Sequence, residues 1–167
     1  MKKVSLLTIS AAAAALAVAS FSTAVEAGSA TGTANAQIEK ALTVTETTQM
    51  SFGRVEAPAT GSGTVVLATA GTTTDTGVTR LSGATAAAGV FTLAGSASAA
   101  YTLSAIADTT ITDSTTTLNV TAFSNDASGS LDGSGAGTIN VGATLTVPST
   151  ASAGTYTGSY TVTVNYN

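Results

Sequence analysis

Apolar and polar residues alternate with a period of two along most of the chain after residue 27, and no segment there keeps a helical period. Thr and Val dominate these segments, and their β-branched side chains suit a pleated sheet. Clusters of Gly, Ser, Asn and Asp separate the segments and are typical of turns. The pattern predicts strands at residues 36–45, 50–55, 63–69, 77–81, 89–93, 101–107, 116–123, 137–147 and 155–165.

Many short strands joined by turns predict an all-β fold, an immunoglobulin-like antiparallel sandwich. A right-handed β-helix is the alternative, but the sequence has no fixed repeat period to support it. The inward positions of the alternation form the predicted core: Leu42, Val44, Val65, Leu67, Phe91, Leu93, Tyr101, Leu103, Ala105, Leu118, Val120, Ala122, Ile139, Val141, Leu145 and Val147.

The predicted core is thin, because most of its side chains are small or medium and Phe52 and Phe91 are the largest fillers. Ile106 breaks the alternation of its strand, which predicts an end or a bulge there. Each fully buried Val, Leu, Ile or Phe contributes roughly 1.5–3 kcal/mol. Such a core is adequate but not generous, and an additional strand would strengthen it.

The N-terminus has the pattern of an export signal. Lys2 and Lys3 precede a largely apolar run at residues 4–19, and Val25-Glu26-Ala27 offers small residues for a signal peptidase. A transmembrane anchor is the alternative, but the run is shorter than the roughly 20 residues that a spanning helix prefers. The sequence predicts a signal peptide at residues 1–27, export to the periplasm and a mature chain beginning at Gly28.

The composition excludes most catalytic chemistry. The 167 residues include no His, Cys or Trp, so a zinc–thiolate site, a Cys nucleophile and a His-dependent triad are ruled out. A Ser or Thr nucleophile would need a Lys base, and Lys40 is the one Lys beyond the predicted signal peptide. The formal charge of −4 gives no footprint for nucleic acid. We expect neither an enzyme nor a cofactor.

One loop, at residues 125–135, has residues that suit a cation. Asp126 and Asp132, with nearby carbonyl oxygens, are ligands of the kind that Ca²⁺ takes. Two carboxylates so far apart in the sequence are a weak pattern, and a solvated hairpin loop is the favoured interpretation. The prediction for metals is therefore none.

The C-terminus is the most regular strand pattern in the chain and runs to the last residue. A strand this regular needs a fixed register, because a slip of one residue would invert every side chain. The alternative is an ordinary final strand that pairs within its own sandwich. One face holds the apolar and aromatic positions: Tyr156, Gly158, Tyr160, Val162, Val164 and Tyr166.

The start of the predicted mature chain alternates as well, with small residues on one face and polar residues on the other. This segment alone buries too little apolar surface to hold an ordered shape, but it suits pairing with an open sheet edge. The alternatives are a flexible tail or the first strand of the fold. The small face consists of Ala30, Gly32, Ala34, Ala36 and Ile38.

The two ends together resemble chaperone–usher pilins and their spore-coat-like relatives. Tyr166 is the penultimate residue, and Gly154 is the fourteenth residue counted from the C-terminus. Phe52-Gly53-Arg54-Val55 is similar to a stretch after the first strand of those relatives. Residues 142–166 resemble most an uncharacterised pilin-like family of exported Gram-negative proteins. The chain departs from many pilins in having no Cys and in having Ala and Gly where larger aliphatic residues are common on the donor face.

The resemblance implies a sandwich that lacks its final strand. It divides the chain into a signal peptide (1–27), a donor-strand segment (28–39) and a pilin-like body (40–167). The groove of the body would be filled by a periplasmic chaperone, and later by the donor segment of a neighbouring copy at the outer-membrane usher. The strand that lines this groove would carry Gly154 and the aromatic face ending at Tyr166.

The function implied is that of a structural subunit of an adhesive surface fimbria, or pilus, assembled by donor-strand exchange. The principal alternative is a stand-alone secreted β-sandwich that binds carbohydrate or another surface polymer. A minor coat or matrix protein that never polymerises is a third possibility. The absence of Trp disfavours carbohydrate binding, because sugar sites favour exposed stacking rings.

Overall fold

The computed structural model describes residues 27–167. The predicted signal peptide therefore lies outside the described residues, apart from Ala27. The chain divides into two units after Ala36. In the first unit, residues 27–36 are exposed and form no strand.

The second unit, residues 37–167, is all-β and is called the body below. Residues 27–167 contain no helix, and therefore none that is long and apolar enough to cross a membrane. The body has eleven strands: β1 (Thr43–Thr48), β2 (Arg54–Glu56), β3 (Ser62–Leu67), β4 (Thr73–Thr76), β5 (Thr79–Leu81), β6 (Gly89–Ala94), β7 (Tyr101–Leu103), β8 (Thr109–Thr112), β9 (Thr117–Asn125), β10 (Ala136–Pro148) and β11 (Val164–Tyr166).

The long strand β10 organises the main sheet. Its first half pairs with β6 and its second half pairs with β3, both antiparallel and along the same edge. Strand β9 pairs along the opposite edge, over residues 141–145. Strand β1 then adds to β6, β4 to β3, and β8 to β9. The strands β2 and β5 form a separate antiparallel pair.

The strand series continues from β8 to the end of the chain. Residues 155–167, called the C-terminal segment, run antiparallel to β7 and β8 through a bridge between Thr157 and Thr112 and through the pairing of β11 with β7. The series thus runs from β1 through β6, β10, β9 and β8 to the C-terminal segment, which also pairs with β7 in a separate two-stranded sheet. It curls into a sandwich-like half-barrel, which confirms the predicted all-β antiparallel sandwich.

The core lies inside this curl and is formed by two clusters that share β10. Ile139 and Val141 belong to one cluster, and Ala143, Leu145 and Val147 belong to the other. The alternation located most of the buried residues. It missed Ala88, Leu131 and Ala143, which are also buried. Gly142 interrupts the alternation because it is itself buried, so three successive residues of β10 face protein.

Two inward assignments were wrong. Ala122 is exposed and has a φ of 51°, because β9 bulges where its register with β10 shifts. The extra residue changes the phase of the strand, so Phe123 packs against the core instead. Ala105 is exposed, because β7 ends at Leu103, and Ile106 packs inward beyond that end. The predicted break at Ile106 is thereby confirmed.

Several strand boundaries also differ from prediction. The first strand begins at Thr43 rather than at residue 36, and the strands β4 and β8 were not predicted. Both missed strands consist almost entirely of Thr, so they show no alternation of apolar and polar residues. The predicted strand 155–165 pairs as a regular strand only over Val164–Tyr166.

Candidate functional site

The two ends of the strand series each have an edge without a partner strand among residues 27–167. In that range β1 pairs only with β6, and β11 pairs only with β7. The backbone carbonyl of Thr163 accepts a hydrogen bond from Ser104, and the N–H of Asn167 donates to Ala100, so these residues face β7. Because bonding direction alternates along an antiparallel strand, the even-numbered residues of the C-terminal segment direct their backbone groups to the other edge. No described backbone group bonds to Tyr160 or Val162.

The side chains of these even-numbered residues lie on one face, as the alternation indicates. Tyr160, Val162, Val164 and Tyr166 are half-buried and pack against the cluster that contains Phe91 and Ile139. Tyr156 packs against the other cluster. Gly158 and Gly154 are exposed, and Gly154 lies beside Asp113 rather than in line with the face.

Strand β1 presents a second row on the same core. Val44 lies directly opposite Leu93 and Glu46 directly opposite Phe91 in the pairing with β6. Residues opposite each other in an antiparallel pair share a face, so Val44 and Glu46 point to the side of the buried Leu93 and Phe91. Leu42 and Val44 are half-buried, whereas Glu46 is exposed.

These two rows lie on either side of the buried Phe91 and Leu93, and no strand of the described residues pairs between them; we call this stretch the open strip. One wall is β1 with Leu42, Val44 and Glu46, and the other is the C-terminal segment with Tyr160, Val162, Val164 and Tyr166. The walls run antiparallel, because the hydroxyls of Tyr160 and Tyr166 lie over the two ends of β6, which is itself antiparallel to β1.

Tyr166 closes one end of the open strip. Its hydroxyl donates to the carbonyl of Lys40 at 2.8 Å and accepts from the backbone N–H of Ser96 at 2.7 Å. The N–H of Lys40 in turn donates to Oγ of Ser96 at 2.6 Å. Lys40, three residues before β1, is therefore hydrogen-bonded to the last strand of the body.

The other end has unpaired polar groups. The ring of Tyr160 lies between Phe91 and Phe123, with centroid separations of 5.9 and 5.3 Å. Its hydroxyl is buried and has no hydrogen-bond partner among the described residues. Burial, and secondarily the negative charge of Glu46, raises the pKa of Tyr160 to about 12.

Two glycines make room for these hydroxyls. A Cβ on Gly89 would collide with the hydroxyl of Tyr160, and a Cβ on Gly95 would collide with that of Tyr166. The sequence contains both residues of each pair but no signal that connects them, since about 70 residues separate them. Glu46, Ser96 and Lys40 were likewise not predicted as part of the site.

The predicted donor face is exposed. Ala30, Gly32, Ala34 and Ala36 belong to the first unit and have no strand partner among the described residues. Ile38 belongs to the body and is 91% exposed.

The two loop carboxylates accept hydrogen bonds from their own loop and from β10. Asp126 accepts hydrogen bonds from the backbone and side chain of Asn140, at 2.7 Å each. Asp132 accepts from Ser134 and from the backbone of Ala136, and these bonds lower its pKa. Over residues 27–167, no three His, Cys, Asp or Glu residues lie close enough to hold a metal ion.

Residues 42–166 match the family model described as a domain of unknown function, DUF4402. The chain belongs to the DUF4402 family. The DUF4402 match begins at the residue before β1 and ends in β11, so it spans the strand series and both walls of the open strip. Comparison with curated proteins and with solved structures gives no match.

Proposed function

We propose that this DUF4402 protein is a structural subunit of a surface fimbria, assembled by donor-strand exchange. Residues 28–39 of one copy fill the open strip of the next copy and complete its immunoglobulin-like sandwich. The observation that carries the proposal is the break in the strand series: β1 and the C-terminal segment border a half-buried apolar row and pair with no strand between them. The unpaired backbone groups of the C-terminal segment are available to bind an inserted strand.

Backbone hydrogen bonds supply most of the attraction in this joint. Each contributes roughly 0.5–1.5 kcal/mol net, and the donor segment has few large side chains to add to them. Ala34 and Ala36 bury little apolar area, whereas Ile38 is a large side chain and is almost fully exposed in the single chain. Ile38 is therefore the main apolar anchor of the joint.

The donor segment and the open strip are different surfaces, so the contact between copies is head-to-tail. A head-to-tail contact that does not close on itself generates a filament. An unpaired apolar edge is an aggregation hazard until it is filled. A periplasmic chaperone that covers the open strip until the subunit reaches the usher removes this hazard. Export, the chaperone and the usher are part of the proposal because of the resemblance to pilins.

Carbohydrate binding receives no support from the described residues. Every aromatic side chain among residues 27–167 is buried or half-buried. A surface depression of about 700 Å³ between residues 71–73 and the loop that follows β5 is lined by Gly, Thr, Ser, Ala and Arg80, without an aromatic ring. Sugar sites usually offer an exposed ring, so we do not favour this function.

Deletion of residues 28–39 tests the proposal. We expect the exported full-length chain to form filaments in electron micrographs and the deletion variant to stay monomeric. A variant in which residues 28–39 are replaced by a Gly-Ser segment of equal length controls for chain length, and we expect it to stay monomeric too. Filaments from either variant, or a wild-type chain that remains a stable monomer at high concentration, would contradict donor-strand exchange.

A further inference from the structure

We propose that Glu46 and Tyr160 form a polar site at one end of the open strip, and that this site receives the Lys40 ammonium of the neighbouring copy. This inference rests on the proposed function and adds the register and direction of the incoming strand. Lys40 is thus a specificity-determining residue of the joint, because its contact selects a head-to-tail filament over closed assemblies.

Glu46 is an unpaired carboxylate on the apolar wall. It follows Leu42 and Val44 on the inner face of β1, opposite Phe91. It is exposed and takes part in no ion pair, since the ion pair of the described residues joins Arg80 to Asp75. A carboxylate at this position makes a fully apolar occupant unfavourable at this end of the strip.

Tyr160 places a second unpaired group close enough to Glu46 for the carboxylate charge to raise the pKa of its hydroxyl. The ring of Phe91, which lies opposite Glu46 on β6, packs edge-on against the ring of Tyr160. The hydroxyl of Tyr160 is buried without a partner among residues 27–167, and a buried polar group without a hydrogen bond is destabilising. An occupant with several hydrogen-bond donors and a positive charge satisfies both groups.

Lys40 of a second copy has these properties. It lies two residues beyond Ile38, in phase with the small face of the donor segment, and an ammonium has three donors and no acceptor. Its side chain is exposed and in no ion pair in the described structure. The other two cations after residue 27 are Arg54 and Arg80, which lie on β2 and β5.

Placing Lys40 at Glu46 gives a register that fits the walls by size. The incoming strand runs parallel to β1, with Ile38 between Val44 and Val162. Ala36 then lies between Leu42 and Val164. Ala34 reaches the end that the Tyr166 side chain narrows through its bond to Lys40. Ile38, the largest side chain of the donor face, thus lies between two valines, and the small Ala34 lies beside the bulky Tyr166.

The reverse direction leads to closed assemblies. A strand running antiparallel to β1 brings the incoming Lys40 to the Tyr166 end, where the acceptor has its own Lys40, so like charges meet. It also brings the same end of both bodies together, and contacts between identical surfaces close into a dimer. The Glu46–Lys40 contact stabilises the direction that leaves the chain of subunits open.

Paired cysteines test the direction, because the chain has no Cys of its own. We expect the exported full-length Lys40→Cys/Glu46→Cys variant to form a disulfide-linked ladder of multimers on a non-reducing gel. The two positions are about 20 Å apart along one extended chain, so a disulfide within one molecule is excluded. The Ala34→Cys/Glu46→Cys variant reports the reverse direction and should give no ladder. Crosslinking of the second pair instead of the first would overturn the proposal.

Charge reversal tests the contact itself. We expect Lys40→Glu and Glu46→Lys each to lower filament yield at least about tenfold, and the double variant to restore it. Arg54→Glu and Glu56→Lys are matched exposed charge changes on β2 and should assemble like wild type. Filaments with unchanged yield in the single variants, or no recovery in the double, would overturn the polar site while leaving donor-strand exchange intact. A wild-type chain that forms no filament would overturn both.

Discussion

Single residues at the ends of the open strip explain much of its geometry. Tyr166 and Tyr160 lie six positions apart on one face, and each hydroxyl lies over a glycine of the β6 region. The hydroxyl of Tyr166 has two partners, whereas that of Tyr160 has none among the described residues. The same residue type on the same segment therefore has two different roles, which only its partners distinguish.

The two tyrosines predict opposite effects of one substitution. Tyr166→Phe leaves the N–H of Ser96 and the carbonyl of Lys40 without their partner, and we expect a loss of about 1–3 kcal/mol in the free energy of unfolding. Tyr160→Phe removes a buried hydroxyl that has no partner, so the free energy of unfolding should be unchanged or higher. Urea unfolding of the two variants as monomers measures both free energies. A larger decrease for Tyr160→Phe than for Tyr166→Phe would contradict the roles given to the two hydroxyls.

At the scale of elements, the strand pairs β2–β5 and β3–β4 are linked by one arginine. Arg80 of β5 forms a bidentate ion pair with Asp75 of β4, at 2.7 Å for each bond, and donates to the carbonyl of Phe52 at 2.9 Å. Gly53 has a φ of 75°, and a Cβ there would meet the guanidinium at 2.7 Å. Glycine at position 53, after Phe52, thus has a local structural reason.

The C-terminal segment approaches β8 so closely that one position on it admits no side chain. A Cβ on Gly158 would collide with the carbonyl of Thr110 and lie 2.9 Å from Ile111. We expect Gly158→Ala to lower the free energy of unfolding by about 1–3 kcal/mol, as overpacking does. A Cβ on Gly133 would have nothing within 4 Å, so Gly133→Ala should change the free energy of unfolding by less than about 0.5 kcal/mol. Equal effects in chemical denaturation would show that the segment does not pack as described.

At the scale of the whole molecule, the first and last strands of the series do not pair with each other. The hydroxyl of Tyr166 bonds to the chain just ahead of β1 at one end of the open strip, but along the rest of the strip no strand of the described residues lies between β1 and the C-terminal segment. The apolar side chains that line the strip are consequently only half-buried: Leu42, Val44, Val162 and Val164. A second copy that covers these residues increases the buried apolar area of a thin core.

Assembly and folding should respond differently to changes in the donor segment. We expect Ile38→Asp to lower filament yield more than Ala34→Ser or Ala36→Ser, because it replaces the main apolar anchor with a charge. Since Ile38 is 91% exposed in the single chain, the free energy of unfolding of the monomer should change by less than about 0.5 kcal/mol. Quantitative microscopy and monomer denaturation separate the two effects. Equal filament yields in all three variants would show that Ile38 is not the anchor.

The sequence alone determined the fold class, most of the buried residues and the aromatic face of the C-terminus. These properties depend on the alternation of side chains along a strand, which is local and is written in the sequence. The sequence also predicted the end of the strand before Ile106. It did not predict the bulge at Ala122, because Ala122 and Phe123 are both apolar and the sequence does not show which of them points inward.

Only the tertiary structure decided which edges remain open and which residues face each other across them. The pairing of β1 with β6, the two tyrosine–glycine contacts and the approach of Glu46 to Tyr160 join residues that are about 45 to 115 positions apart. Alternation fixes the face that a residue occupies, but strand order fixes its neighbours, and strand order depends on the packing of the whole chain.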